Sequence, residues 1–181
     1  MVTFKGNSVS LSGKTLNVGD SAPKVDLIAG DLSVKSVGGA NGKFQIINVV
    51  PSLDTGVCAT QTRKFNEKAA SLSNAEVSVV SLDLPFAQGR FCSTEGIKNV
   101  VALSDFRNKA FGEAYGVILA GSPLEGLLTR AVFVVKPEGK IVHKEIVSEI
   151  TSEPDYEAAL AAAKQLGFCA LSSCKLKIFV R

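Results

Sequence analysis

Residues 44–50, FQIINVV, form an apolar run of strand length, so both of its faces ask for cover. Pro51 ends the run. A different period then begins: Cys58, Phe65, Ala69 and Leu72 follow one another at helical spacing, which predicts a helix over residues 57–72 that starts within 55–57. A fully buried strand that hands directly to a helix is the repeating unit of a layered α/β sheet.

The rest of the chain extends that pattern. VTFK and SVSL flank Gly6-Asn7 as a hairpin, and VDLI and SVKSV follow around Gly30-Asp31. After the first helix come a strand at 77–82, a short helix at about 89–97, the strand VVAL and a helix near 107–115. RAVFVV and KIVHKEIV then pair through PEGK, and PDYEAALAAAKQL opens a closing helix with proline in its first turn. The expectation is an α/β thioredoxin-like fold: a central mixed sheet whose core strands are parallel, flanked by helices, with an antiparallel hairpin at one end and an N-terminal β-hairpin.

At 181 residues, 46% hydrophobic and 20% charged, the chain is one domain that can bury most of its apolar surface without disulfides. No apolar run approaches the roughly 18 residues of a membrane span, and the N-terminus lacks the apolar stretch of a secretory leader. Cytoplasm is the expected compartment, with no membrane association. Lys175, Lys177 and Arg181 account for the whole net charge of +3, leaving residues 1–167 neutral. A neutral body without a Lys/Arg stripe gives no footprint for nucleic acid. The composition changes near Gly167, so residues 1–167 are expected to be the working domain. Residues 168–181, with Cys169 and Cys174, read as an extension without a catalytic part.

The body holds two cysteines, Cys58 and Cys92, and neither belongs to a C-x-x-C pair. With His143 as the single histidine, no zinc set is expected. Cysteine-histidine hydrolysis would rest on His143 alone, which lies in an alternating strand and reads as a half-exposed sheet residue. Cys58 falls in the first turn of a helix, where unpaired N–H groups and the macrodipole favour an anion. Helix N-termini and nearby arginines bring cysteine pKa values from about 8.5 into a range of roughly 3.5 to 7.5. Thr55 can cap the helix or aim its hydroxyl at the sulfur, and Pro51 holds the entering loop. The same position also suits a buried, inert cysteine, since free Cys is among the most buried residue types.

PSLDTGVC has the P-x-x-x-T-x-x-C form of the peroxiredoxins. DLPFAQGRFCSTEGIKN at 83–99, with LSDF and EGLLTRAVFVV, resembles their bacterial thiol peroxidase branch, of the atypical two-cysteine type. The resemblance runs from about residue 3 to 167. It implies that Cys58 is the peroxidatic cysteine and Cys92 the resolving one. Thr55 would orient sulfur and peroxide, Arg130 would favour the thiolate, and Pro51 would shield the site. Gly56 departs from the family pattern, which has proline before V-C. The implied activity is reduction of hydrogen peroxide and alkyl hydroperoxides without a metal or organic cofactor. Cys58 and Cys92 would form an intramolecular disulfide, thioredoxin would be the reductant, and the protein would be a homodimer. The rival readings are a thioredoxin-type disulfide oxidoreductase, a peroxide-sensing relay that turns over slowly, and a binding module with inert thiols.

Overall fold

The computed structural model describes residues 1–72 and 74–164. Its elements run β1 Val2–Phe4, β2 Asn7–Ser12, β3 Val25–Ala29, β4 Val34–Val37, β5 Phe44–Val49, α1 Gly56–Ala69, β6 Ala75–Ser81, α2 Pro85–Thr94, β7 Val101–Ser104, α3 Ala110–Tyr115, β8 Ile118–Ala120, β9 Ala131–Val135, β10 Ile141–Ile146 and α4 Tyr156–Lys164. The extension after 167, its boundary with the domain, and Cys169 and Cys174 lie outside the described residues.

Seven strands form the main sheet in the order β10-β9-β5-β6-β7-β3-β4. Only β5, β6 and β7 run parallel, while β9 is antiparallel to both β5 and β10, and β3 is antiparallel to both β7 and β4. The parallel core is therefore closed by an antiparallel hairpin at each end, where one was expected. The second is the VDLI/SVKSV pair, which joins the main sheet through β7 instead of standing apart in the N-terminal region. β1, β2 and the short β8 make a separate three-stranded sheet. The sequence carries no signal for β8, because three residues are too few to show a period.

Two layers cover the sheet. Ile46, Val50, Val77, Val79, Val132 and Val134 pack with Cys58, Phe65 and Ala69 of α1 and Ala159, Leu160 and Ala163 of α4. Ile47, Val49, Val80, Ala131 and Phe133 pack on the other side with Phe111 and Tyr115 of α3. Side chains alternate along a strand, so even positions of β5 and β9 face α1 and odd ones face α3.

Local chemistry sets the element ends. Phe4 pairs with Asn7, so the N-terminal turn is Lys5-Gly6, with φ of 52° and 79°, one residue earlier than Gly6-Asn7. Both central residues having positive φ is the turn that matches strand twist. α2 starts at Pro85, earlier than expected, because proline fits the first helical position. α3 starts at Ala110, later than expected, because Lys109 adopts φ 53° and the Asp105 carboxylate accepts from the N–H groups of Phe111 and Gly112. Gly116, at φ 66°, ends it. No helix among the described residues is long and apolar enough to cross a membrane.

Candidate active site

β5 delivers the chain to Pro51, which is buried, and residues 52–55 form a turn ending at Thr55, the N-cap of α1. Thr55 has extended geometry, φ −110° and ψ 144°, yet its side chain caps nothing. Its hydroxyl donates to the Ser52 carbonyl at 3.2 Å, so it neither caps α1 nor bonds the sulfur as the sequence suggested. The Ser52 carbonyl also accepts from the Thr55 N–H at 3.3 Å, so the turn closes on itself. The first-turn N–H groups of α1 are thereby left without a side-chain cap, next to Cys58.

Cys58 is fully buried, at 0% exposure. Arg130, 2% exposed, reaches it: Nη2 donates to Cys58 Sγ at 3.3 Å. The alternation of β9 explains the approach. Val132 and Val134 face α1, so Arg130, two residues before Val132, faces α1 as well. β9 is the antiparallel neighbour of β5, with Ala131 opposite Val49, which brings Arg130 to the end of β5 where α1 begins.

Two further donors of Arg130 meet neutral groups. Nε donates to the Ile150 carbonyl at 2.8 Å, and Nη1 donates to Gln61 Oε1. Gln61 Nε2 in turn donates to Asn48 Oδ1, and both residues are fully buried. None of the ion pairs among the described residues includes Arg130. Its charge adds only the smallest of the effects that lower the Glu153 carboxyl, after the hydrogen bonds from Lys64 and Tyr156 and the Lys64 charge. An isolated buried charge costs several kcal/mol. A thiolate at Cys58 is the one directly bonded group that can offset it.

Gln61 and Asn48 were missed at the level of sequence. A signal was present: Gln61 lies one turn beyond Cys58 on the same helix, and Asn48 is, with Gln45, one of two amides inside a largely apolar strand. Buried amides need partners: Gln61 finds both Asn48 and Arg130, while Asn48 Nδ2 is left without a partner among the described residues.

Cys92 lies on α2, half-buried, and packs with Phe91 against the same core cluster as Cys58. Burial raises its thiol pKa. Both cysteines are free thiols. Of the two phenylalanines in this segment, Phe91 packs inward, whereas Phe86 is 67% exposed. His143 stands beside a bulge on the edge strand β10, with Nε2 unpartnered. No group of three or more His, Cys, Asp or Glu suited to a metal occurs among the described residues.

A family model described as Redoxin matches residues 17–160. A thiol peroxidase of Campylobacter jejuni is 59% identical over 174 residues, covering 96% of this chain and 95% of that protein. The thiol peroxidase of Corynebacterium glutamicum is 52% identical, covering 88% and 96%. The chain belongs to the thiol peroxidases of the redoxin family. Among solved structures, a peroxiredoxin-like protein from Aquifex aeolicus superposes with a TM-score of 0.88 at 48% identity, covering 91% of this chain and 96% of that one. A thiol peroxidase from Chromobacterium violaceum, at 19% identity and a TM-score of 0.81, shares the fold. Like the solved structures it resembles, this thiol peroxidase is built on a thioredoxin-like mixed sheet with flanking helices.

Proposed function

We propose that the chain, an oxidoreductase acting on peroxide, reduces hydrogen peroxide and alkyl hydroperoxides at Cys58. The observation that carries this reading is the fully buried Arg130, whose donors meet two neutral oxygens and the Cys58 sulfur. The Cys58 thiolate attacks the terminal peroxide oxygen. An S–O bond forms, the O–O bond breaks, and the departing alkoxide or hydroxide takes up a proton to leave as alcohol or water. Sulfur gives up two electrons and the peroxide accepts them.

The surrounding groups divide the work. Thr55 has its own hydrogen committed to the Ser52 carbonyl, so its lone pairs are left to accept from the peroxide O–H and aim the molecule. Arg130 and the uncapped first-turn N–H groups stabilise charge as it spreads over the two oxygens. Pro51 keeps water from the sulfur side of the pocket. Gln61 and Asn48 hold the guanidinium in register.

Cys92 completes the cycle. Its thiolate attacks the sulfenic sulfur of Cys58, an S–S bond forms, and the S–OH bond breaks to release hydroxide, which is protonated to water. A thioredoxin-type dithiol then reduces the disulfide by two exchanges. The raised pKa of Cys92 keeps it largely protonated at neutral pH, which suits a residue that must not compete for peroxide. We place the protein in the cytoplasm, where a reductant keeps such thiols reduced. By family resemblance it works as a homodimer and needs neither metal nor organic cofactor.

The test is peroxide consumption coupled to a thioredoxin system, with Cys58→Ser beside the wild type. Turnover by the wild type and none by the variant is expected. Equal turnover by both would remove Cys58 from the chemistry, and one slow oxidation without cycling would favour a sensing relay.

A further inference from the structure

Asp83 stands between the two cysteine-bearing segments and belongs to neither. Its Oδ1 accepts from Ser52 Oγ at 2.7 Å. Its Oδ2 accepts from the Leu53 N–H at 2.7 Å and from Ser81 Oγ at 2.7 Å. Ser52 and Leu53 lie in the turn that leads into Cys58. Leu53 is 2% exposed, so its N–H has no water to replace the carboxylate.

The same network continues into α2. Ser81, fully buried, also accepts from Gln88 Nε2 at 3.0 Å, and Gln88 donates again to the Leu103 carbonyl at 2.9 Å. Gln88 is four residues before Cys92, on the same face of α2. Asp83 itself is followed by Leu84, the N-cap of that helix, and its own carbonyl accepts from Ser104 Oγ. A continuous chain of hydrogen bonds thus runs from the Cys58 turn through Asp83 and Ser81 to the helix of Cys92.

The other polar links between these regions are weaker. Arg90 and Asp54 are 3.7 Å apart with both side chains largely exposed, at 72% and 71%. Arg63 and Glu95 meet at 2.7 Å, with exposures of 42% and 32%. Exposed pairs contribute little, whereas hydrogen bonds to a half-buried carboxylate are among the stronger polar contacts.

We propose that Asp83 is a positioning residue that clasps the Cys58 turn to the root of the Cys92 helix, and so sets how readily the two segments part for disulfide formation. This rests on the reading of Cys58 and Cys92 given above. The thiols sit in separate, ordered helices, and a disulfide needs Cα atoms within about 4.4 to 6.8 Å and suitably aimed Cβ atoms. While the clasp holds, Cys58 stays seated under Arg130 for the peroxide step. Releasing it frees the turn directly and loosens the helix through Ser81, the hydroxyl by which the carboxylate reaches Gln88.

The experiment is a rapid-mixing single turnover of the reduced protein with hydrogen peroxide, resolving sulfenate formation from disulfide formation. Mass spectrometry identifies the disulfide. Asp83→Ala removes all three acceptor contacts, and the disulfide step should become about ten-fold faster or more, the scale of one hydrogen bond to a charged group. The peroxide step should be no faster than in the wild type. Ser52→Ala removes one arm only and should shift the disulfide step the same way by less, which keeps the test valid if Asp83→Ala prevents folding. A residue with a merely structural role would slow both steps when lost. An unchanged or slower disulfide step in a folded variant overturns the proposal. A wild type that forms no Cys58–Cys92 disulfide would instead sink the catalytic reading beneath it, a result visible before any variant is made.

Discussion

Gly56→Pro is the substitution for which the structure makes the sharpest demand. Gly56 is the first residue of α1, the position where proline's missing N–H is not needed. A Cβ built on Gly56 meets nothing within 4 Å, and its φ is not positive. Thr55 before it already has φ −110° and ψ 144°, the region that a following proline imposes. Proline therefore fits the folded backbone and acts mainly by restricting the open one, a gain of about 0.4 to 1 kcal/mol. If the first turn of α1 must unwind before Cys58 meets Cys92, that gain appears as a barrier. Disulfide formation should then slow by about two- to five-fold, since 1.4 kcal/mol is a factor of ten. Chemical denaturation of the reduced protein gives the first quantity and the disulfide phase of a single turnover gives the second. A stabilised variant with an unchanged disulfide rate would show that unwinding at Gly56 is not on the path. A destabilised variant would contradict the helix start itself.

Other expectations follow from the same geometry. Arg130→Met should slow both alkylation of Cys58 and its oxidation by peroxide at neutral pH by roughly 10- to 150-fold, from about 1.5 to 3 kcal/mol for a hydrogen bond to a charged group. Unchanged alkylation would mean that the 3.3 Å contact does not favour the thiolate. Cys92→Ser should react with peroxide once and stop as sulfenic or sulfinic acid at Cys58, read by intact mass, and sustained thioredoxin-driven cycling would take Cys92 out of the cycle. Oxidation should speed hydrogen exchange within residues 56–60 and 85–96 only, whereas equal protection in both redox states would rule out local opening. Glu149 holds the N-terminal hairpin through Thr3 and the N–H groups of Lys5 and Gly6, and hydrogen bonds led by that of Gly6 lower its pKa to about 2. A lowered carboxylate stabilises the fold above its unfolded pKa and loses that effect as pH falls towards about 2, so Glu149→Gln should flatten the acid limb of stability between roughly pH 5 and 2. A limb of unchanged slope would show that the contacts do not persist in solution. Deleting residues 168–181 should leave peroxidase turnover unchanged, and a loss would give that extension a role.

How far the sequence disclosed this structure depended on whether a signal was local. The helix start at Gly56, the burial of β5 and the first-turn position of Cys58 follow from a period of apolar residues and a proline stop, and the structure has them. The approach of Arg130 to Cys58 required a strand order as well, and β9 beside β5 supplies it. What stayed hidden was set by contacts remote in the chain. The Thr55 hydroxyl is the local exception, donating to the Ser52 carbonyl of its own turn. Gln61 and Asn48 acquire meaning only once β5, α1 and β9 stack, and Asp83 only once the turn after β5 lies beside the end of β6. The second hairpin of the main sheet escaped because pairing of β3 with β7 joins residues far apart in sequence.

The most direct measurement uses one equivalent of hydrogen peroxide on the reduced Cys92→Ser protein in the presence of a sulfenic-acid-specific trap, followed by peptide mass spectrometry. Cys169 and Cys174 act as internal competitors within the same chain. The trapped adduct should sit on Cys58, the thiol that Arg130 contacts, with the other two cysteines unmodified. An adduct on Cys169 or Cys174, with Cys58 untouched, would contradict the assignment of peroxide chemistry to the buried Cys58–Arg130 pair.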